Sequence, residues 1–282
     1  MNPGTPLIVP TLAQLRATTQ NWRTQGARIS LVPTMGALHA GHLSLTNLAR
    51  TRSDKVIVSI FVNPTQFAPH EDFDRYPRML ERDVDVLAGH ADIVFAPAAS
   101  EVYPQGAVTS VHVAGAALGL ESDFRPHFFA GVATVVAKLL IASTPDIAVF
   151  GEKDYQQLLV VRQLTRDLLL PTDIVGAPIL RETDGLAMSS RNAYLSADER
   201  AVAGRLNGII KNAIEKLRAG GAIAATEKDT ALQLLNAGFN SVDYIAVRDA
   251  ANLQTLTSLD RPARILAAAK IGATRLIDNM AV

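Results

Sequence analysis

Short runs of branched apolar residues alternate with helical segments through the first two thirds of the chain. Strands are predicted over residues 29–32, 55–62, 93–95, 147–150 and 173–175. Helices are predicted between them, over residues 43–52, 80–87, 131–142 and 156–168. Apolar strands that are joined by helices typically form a parallel sheet that is covered on both faces. We therefore predict an α/β protein with a Rossmann-like, doubly wound parallel sheet.

The last third of the chain has a different pattern. A helix is predicted over residues 196–219, where Ser196 and Glu199 have the spacing of a capping box, and Gly220 and Gly221 end it. A second helix over residues 225–237 precedes three predicted strands, over residues 242–247, 263–269 and 274–277. We predict a first domain of residues 1–179 and a smaller C-terminal α+β domain of residues 180–282.

Charge and composition exclude several classes of protein. The 282 residues include 27 basic and 27 acidic side chains, so the balanced charge argues against a general nucleic-acid binder. The absence of cysteine excludes a disulfide scaffold and a thiolate zinc site, and it fits a cytoplasmic location. The first ten residues lack the pattern of a signal peptide, and the longest apolar run is too short to span a bilayer.

The most informative motif lies where the first of these strands meets its helix. Residues 33–42 end in His39-Ala40-Gly41-His42. Glycine lets a backbone approach a ligand closely, and the free N–H groups at a helix start favour an anion. Imidazoles add hydrogen-bond donors for the charge that develops in phosphoryl or adenylyl transfer. The motif predicts a phosphate site, although a glycine-rich turn with two surface histidines remains an alternative.

Polar side chains also follow two other predicted strands. Asn63 and Gln66 follow one strand, and Lys153, Asp154 and Gln157 follow another. Ligands bind beyond the carboxyl ends of strands in such sheets, so these residues are candidates for substrate and phosphate binding. Turn formation is an equal alternative for Asn63, and a helix cap is the favoured role for Asp154.

Two further segments carry candidate ligands. The hydroxyls and guanidinium of Met188-Ser189-Ser190-Arg191-Asn192 suit a triphosphate and its pyrophosphate leaving group, although a polar linker is the alternative. Arg125 precedes the apolar helix and is a candidate ligand, whereas His127 is expected to be structural or solvated.

Several long motifs in order resemble the pantothenate synthetase (pantoate–β-alanine ligase) family. They are residues 33–42, 59–67, 76–78, 150–158, 184–192 and 275–279, and the resemblance spans nearly the whole chain. This family belongs to the nucleotidyltransferases that share a HIGH motif with class I aminoacyl-tRNA synthetases. The resemblance implies that (R)-pantoate attacks the α-phosphate of MgATP, and that β-alanine then converts pantoyl adenylate to pantothenate and AMP.

The resemblance also implies roles for individual residues. It gives His42, His39 and Lys153 catalytic roles, with His42 as a proton donor and His39 stabilising the phosphates. It places pantoate and β-alanine near Gln66, Gln157, Asn63, Arg125 and Tyr76. It implies ATP contacts for Met35, Gly36, Ala37, Leu38, His39, Ala40, Gly41, His42, Gly151, Glu152, Lys153, Asp154, Leu180, Met188, Ser189, Ser190 and Arg191.

The chain departs from the family pattern at two positions. Phe128 stands where many members have a histidine, so the role of that histidine does not transfer, and Ala187 begins the loop that is related to KMSKS. The resemblance further implies Mg²⁺ and a homodimer. It does not identify the metal ligands, for which Asp83 is a candidate.

Two other functions remain open at the level of sequence. One is transfer of AMP by another small-molecule nucleotidyltransferase with a HIGH motif, although such enzymes lack the amide set of Asn63, Gln66 and Gln157. The other is a non-catalytic nucleotide-binding regulator, which the presence of His39 and His42 disfavours. A tRNA synthetase is disfavoured because the chain has no basic surface and no anticodon-binding extension.

Overall fold

The computed structural model describes residues 4–68, 71 and 73–282. Residues 1–3, 69–70 and 72, which belong to the predicted first domain, lie outside this description. The strands within it, in chain order, are β1 (Leu7–Val9), β2 (Ile29–Thr34), β3 (Lys55–Ile60), β4 (Ile93–Phe95), β5 (Ile147–Gly151), β6 (Asp173–Ala177), β7 (Ser241–Asp249), β8 (Ala263–Ile271) and β9 (Thr274–Ala281).

The α-helices connect these strands and pack on the two sheets. In chain order they are α1 (Leu12–Thr24), α2 (Ala40–Arg50), α3 (Leu80–Val86), α4 (Ala99–Val102), α5 (Glu121–Phe124), α6 (Phe128–Ser143), α7 (Tyr155–Asp167), α8 (Ala197–Ala203), α9 (Arg205–Arg218) and α10 (Ile223–Asn236). Short 3₁₀ turns, including Pro64–Gln66, Glu152–Asp154 and Ser190–Tyr194, lie at strand and loop ends.

The first sheet has six parallel strands in the order β1-β4-β3-β2-β5-β6. This confirms the predicted α/β class. The chain runs outward from β2 through β3 to β4, and then returns to the other side of β2 to form β5 and β6. Strand order therefore reverses between β2 and β5, which is the position where sheets of this kind bind ligands.

Alternate residues of each strand enter cores on opposite faces of the sheet. Leu31 packs in one core with α1, α6 and α7, whereas its neighbour Val32 packs in the other with α2 and α3. Successive side chains of a strand point to opposite faces, so a strand between two helix layers is apolar at nearly every position. This burial explains why the central strands are continuous apolar runs.

The sequence pattern does not indicate the amino-terminal strand and helix, β1 and α1. β1 is a three-residue edge strand between Pro6 and Pro10, and Leu7 is 60% exposed. Helix α1 is polar over most of its surface and is capped by Thr11, whose side chain accepts a hydrogen bond from the Gln14 N–H. A short exposed edge strand gives little apolar pattern, so the sequence does not predict a strand here.

The second sheet is antiparallel, in the order β7-β8-β9, with α9 and α10 in its own apolar core. The capping box of Ser196 and Glu199 is confirmed, but the single helix predicted over residues 196–219 is wrong. The helical segment breaks at Gly204, where the Asp184 carboxylate that pairs with Arg200 leaves no room for a side chain. The boundary near residue 180 stays a proposal, supported by β6 ending at Ala177.

No helix among the described residues is long and apolar enough to cross a membrane. Helix α6 is the most apolar, and it packs against the 3₁₀ turn Pro64–Gln66. A methyl group built on Gly131 in this helix would lie 2.3 Å from the backbone oxygen of Thr65. The turn that carries Gln66 can therefore lie on α6 only because residue 131 has no side chain.

We predict opposite effects on stability for two glycine-to-alanine changes in helices. Gly131→Ala should lower the free energy of unfolding by about 1–3 kcal/mol, because the backbone contact at Thr65 outweighs the gain in helix propensity. Gly208→Ala in α9, where a methyl group meets no atom within 4 Å, should raise it by about 0.5–1 kcal/mol. Urea denaturation measures both values, and a stabilised Gly131→Ala protein would contradict the packing argument.

Candidate active site

A cavity of about 900 Å³ lies beyond the carboxyl ends of β2, β3 and β5, with the second sheet on its other side. Its size suits a small-molecule site. Most of the residues predicted to bind ATP or the acid substrate line it. They are Met35, His39, Gly41, His42, Gln66, Tyr76, Arg125, Gly151, Lys153, Asp154, Gln157, Leu180, Met188, Ser189, Ser190 and Arg191.

The predicted residues outside this lining belong to the supporting turns. Gly36, Ala37 and Leu38 lie in the turn between β2 and α2, Ala40 is the first residue of α2, and Glu152 lies in the 3₁₀ turn after β5. Backbone groups of such turns shape a phosphate site even where the side chains point elsewhere. Asn63 lies behind the cavity wall.

A buried carboxylate holds the turn after β2. The two oxygens of Asp83 accept hydrogen bonds from the N–H groups of Ala37 and Leu38, each at 2.8 Å. Ala37 has a φ of 52°, and Asp83 is 1% exposed. A carboxylate that accepts two backbone N–H groups stabilises a turn that would otherwise be strained. Asp83 is therefore an anchor of this turn, and the structure does not support its predicted role as a Mg²⁺ ligand.

The two histidines cap α2 reciprocally. The Nδ1 atom of His39 accepts a hydrogen bond from the Gly41 N–H at 3.1 Å, and Nδ1 of His42 accepts one from the His39 N–H at 3.3 Å. A methyl group on Gly41 would lie 2.7 Å from the His39 ring, so this cap requires glycine there. Because both Nδ1 atoms are acceptors, each neutral ring carries its proton on Nε2.

Burial and charge keep both imidazoles neutral. Burial, with Lys153 as the next cause, lowers the pKa of His39 from 6.5 to about 4. Burial, followed by His39 and Lys153, lowers the pKa of His42 to about 3. The ring centroids are 4.1 Å apart, so two charged rings would repel each other strongly. The site therefore offers two neutral Nε2–H donors beside one ammonium group.

The strand beside β2 contributes the cation. β5 ends at Gly151, and a 3₁₀ turn carries Lys153 into the cavity. Asp154 precedes α7, but its side chain makes no capping hydrogen bond, so the predicted capping role is wrong. Its carboxylate lies 4.0 Å from the Lys153 ammonium.

Of the three amide residues, Gln66 and Gln157 line the cavity, and Asn63 supports Gln66 from behind. Asn63 Nδ2 donates to Gln66 Oε1 at 3.0 Å and to the backbone oxygen of Gly131 at 3.2 Å. Asn63 Oδ1 accepts from the N–H and hydroxyl of Thr65 and from the Tyr103 hydroxyl. With these partners Asn63 positions Gln66, and the structure does not support its predicted contact with substrate.

Arg125 is held in the wall by an ion pair. Its guanidinium donates to both carboxylate oxygens of Glu71, at 2.6 and 2.8 Å, and to the backbone oxygen of Gln66. Burial raises the pKa of Glu71, but the Arg125 guanidinium outweighs it, so the pKa lies below its ordinary value. The guanidinium also lies 3.9 Å from the centroid of Phe128.

The loop of residues 180–192 forms a further part of the cavity wall. Met188 N–H donates to the Leu180 oxygen at 3.0 Å, and Ser189 Oγ accepts from the Arg191 N–H. Asn192 Nδ2 donates to Glu182 Oε1 at 2.9 Å. These bonds give the serine-rich segment a fixed shape beside the histidines.

The second sheet contributes Arg275 and Asp243 to the cavity wall, and the sequence indicates no role for either side chain. Arg275 in β9 pairs with Glu121 at 2.7 Å and with Asp243 in β7 at 2.6 Å, and all three line the cavity. The pair with Glu121 joins β9 to helix α5, and the pair with Asp243 lies within the second sheet. Arg275 lies 154 residues from Glu121 in the chain, so no local spacing indicates the pair.

Comparisons with known proteins agree with this geometry. A family model described as pantoate-beta-alanine ligase matches residues 7–281. A pantothenate synthetase of Mesorhizobium japonicum is 55% identical, over 98% of each chain. One from Caulobacter vibrioides is 53% identical, over 98% of this chain and 99% of that protein.

Solved structures show the same likeness. The pantothenate synthetase from Thermus thermophilus has a TM-score of 0.90 and 43% identity, covering 97% of this chain and 98% of that one. The pantoate-beta-alanine ligase from Francisella tularensis, solved with beta-gamma ATP and β-alanine, has a TM-score of 0.82 and 34% identity, covering 98% and 97%. The chain belongs to the pantoate–β-alanine ligase family.

Proposed function

We propose that the cavity at the reversal between β2 and β5 is where the enzyme condenses (R)-pantoate with β-alanine. In the first step a pantoate carboxylate oxygen attacks the α-phosphorus of ATP, and the bond to the β-phosphate oxygen breaks to release pyrophosphate. In the second step the β-alanine nitrogen attacks the acyl carbon of pantoyl adenylate. The amine loses a proton, the bond to AMP breaks, and pantothenate and AMP result.

One arrangement carries the proposal. The reciprocal cap of His39 and His42 lies beside Lys153, and both face a cavity that Gln66 and Gln157 also line. Transfer at phosphorus needs positioned donors and cations more than a covalent nucleophile. The Francisella tularensis relative, solved with beta-gamma ATP and β-alanine, supports placing both substrates in this cavity.

The histidines act in this proposal as neutral hydrogen-bond donors. Their Nε2–H groups bind phosphate oxygens, and the Lys153 ammonium balances charge that develops as pyrophosphate leaves. With a pKa of about 3 before substrate binds, His42 is not an imidazolium acid at neutral pH. We therefore assign it hydrogen-bond donation in place of the proton donation that the resemblance implies.

Gln66 and Gln157 hold pantoate. Asn63 occupies the carbonyl end of the Gln66 amide, which directs the Nε2 donor end to the substrate. The buried side chains of Phe61, Val132 and Val136 line the same cavity and suit the apolar part of the acid. Arg125 contributes by holding the Gln66 backbone through its hydrogen bond of 3.1 Å.

The loop of Met188, Ser189, Ser190 and Arg191 binds the triphosphate, and Leu180 lies at the base or ribose. The Tyr76 hydroxyl lies 3.4 Å from Ser190 Oγ, so Tyr76 orients this loop as well as lining the acid side. Hydroxyls and a guanidinium bind phosphate oxygens strongly in a partly buried site.

We propose that Mg²⁺ reaches the site on the triphosphate, as part of the substrate MgATP. The described residues contain no group of three acidic or histidine side chains that could hold a metal ion. In this proposal most ligands of the Mg²⁺ ion are phosphate oxygens and water molecules, as is usual for this ion. A homodimer and a cytoplasmic location stay predictions from the family resemblance.

Pyrophosphate exchange into ATP tests the function. Labelled pyrophosphate should enter ATP when pantoate is present, and β-alanine should not be needed. Exchange that does not depend on pantoate would contradict the adenylation step and would favour another nucleotidyltransferase.

We predict that His42→Ala lowers the rate of pantoate-dependent exchange by ~10² or more, the effect of losing one positioned donor. His112→Ala is the matched control, because His112 is exposed and lies outside the cavity lining. A wild-type rate for His42→Ala would remove His42 from the mechanism.

We predict a pH dependence of stability that His42 causes. The pKa of its imidazole is 6.5 when unfolded and about 3 in the native protein, so below pH 6.5 the unfolded chain binds a proton that the native state does not. The free energy of unfolding should fall by about 2 kcal/mol from this group between pH 7 and pH 5.

Urea denaturation at pH 7 and pH 5 measures this effect. The His42→Gln protein should lose about 2 kcal/mol less stability over this interval than the wild type, because glutamine does not titrate. The same change at exposed His112 is the matched control for the loss of a histidine. Equal losses in the wild type and His42→Gln would contradict the low native pKa.

We predict that Phe128→His keeps the exchange rate within about tenfold, or roughly 1.4 kcal/mol of barrier. The imidazole is also flat and aromatic, and it can lie under the Arg125 guanidinium as phenylalanine does. Phe128→Ala, which removes the ring, is the comparison. A much larger rate for Phe128→His would show that phenylalanine impairs this site.

A further inference from the structure

The last strand carries two adjacent buried polar residues. Asp278 is 2% exposed and Asn279 is 3% exposed, and both lie in β9. Neighbouring side chains of a strand point to opposite faces of its sheet. Their hydrogen-bond partners lie in two different segments of the proposed nucleotide site.

Asn279 holds the turn that carries Lys153. Its Nδ2 atom donates to the backbone oxygens of Glu152 at 2.9 Å and of Lys153 at 2.8 Å. Its Oδ1 atom accepts from the Arg264 guanidinium, which fixes the orientation of the amide. Arg264 is itself held by Glu152 and by the ring of Tyr155. Both donor hydrogens of the amide therefore have backbone acceptors beside the cation.

Asp278 holds the hairpin that precedes the serine-rich loop. Its carboxylate accepts two hydrogen bonds from the Arg181 guanidinium, at 2.7 and 2.9 Å. Arg181 also donates to the Gly185 oxygen and pairs through its backbone with Ala187. The neighbouring hydrogen bond runs from the Met188 N–H to the Leu180 backbone oxygen. Asp278 thereby fixes the hairpin from which the serine-rich loop begins.

We propose that Asp278 and Asn279 are a pair of positioning residues that set the distance between the two nucleotide-binding segments. The proposal rests on the proposed function, because it takes Lys153 and Met188–Arg191 as the groups that hold ATP. β9 lies between these segments and is hydrogen-bonded along its length to β8. Its two faces therefore hold the turn that carries Lys153 and the hairpin that carries the serine-rich loop on one strand.

The Asn279→Ala protein tests whether Asn279 positions the turn that carries Lys153. Pantoate-dependent pyrophosphate exchange should fall by about 10–10² in kcat/KM, the cost of misplacing a group by roughly an ångström. The KM for ATP should rise by about tenfold while the KM for pantoate stays within about twofold, because only the nucleotide segments lose their support. Partial unfolding would lower kcat and leave both KM values as they are.

A double-mutant cycle shows whether Asn279 acts through Lys153. In a Lys153→Ala background, Asn279→Ala should have less than about a third of its effect in the wild type, because residues that act as a unit are not additive. The matching cycle for the other face combines Asp278→Asn with Arg181→Gln. Thr230→Val, in which a buried hydroxyl of α10 is lost, controls for a general loss of stability in the second domain.

Two results would overturn the proposal. One is an Asn279→Ala protein with the KM for ATP of the wild type, and the other is full additivity with Lys153→Ala. Failure of the proposed function would look different. In that case the wild-type protein would show no pantoate-dependent exchange, or Lys153→Ala would retain the wild-type rate, and the positioning role would be excluded with it.

Discussion

The pairing of β2 with β5 is the constraint on which the site depends. Because strand order reverses there, the turns that follow these two strands leave the sheet side by side. One turn carries the histidines and the other carries Lys153. Parallel strands place their carboxyl ends at one edge, so groups that are far apart in sequence share one cavity. The second sheet then covers that edge with its own charged residues.

Buried polar side chains that hydrogen-bond to other groups of the protein hold the functional residues of the site in place. Asp83 fixes the turn of the histidines, Asn63 fixes Gln66, and Asn279 fixes the turn of Lys153. Each has one or more backbone partners, and each is almost fully buried. A polar side chain that is satisfied by several partners specifies a single conformation. The cavity is therefore shaped before any substrate enters.

The sequence predicted the parts of this protein that depend on local pattern. Continuous apolar runs indicated the parallel strands, and the spacing of His39 and His42 at a strand end indicated a phosphate site. The anchors could not be predicted in this way, since Asp83 lies 45 and 46 residues from its partners and Asn279 lies 126 and 127 from its own. The position of Asn63 after a strand predicts a site residue but not its supporting role, because its contacts with Gly131 and Tyr103 depend on the folded chain. The protonation of the histidines likewise depends on burial.

The neutral histidine pair also bears on product release. Two imidazolium rings beside Lys153 and Arg191 would add two positive charges next to the pyrophosphate that forms in the first step. Such a site would hold this polyanion tightly, and its departure would limit turnover. Uncharged Nε2–H donors lose little when the phosphate leaves, because water replaces a neutral hydrogen bond at small cost. The reciprocal cap, which uses each Nδ1 for the backbone, therefore leaves neutral Nε2–H donors, which bind a departing polyanion less tightly than two charged rings would.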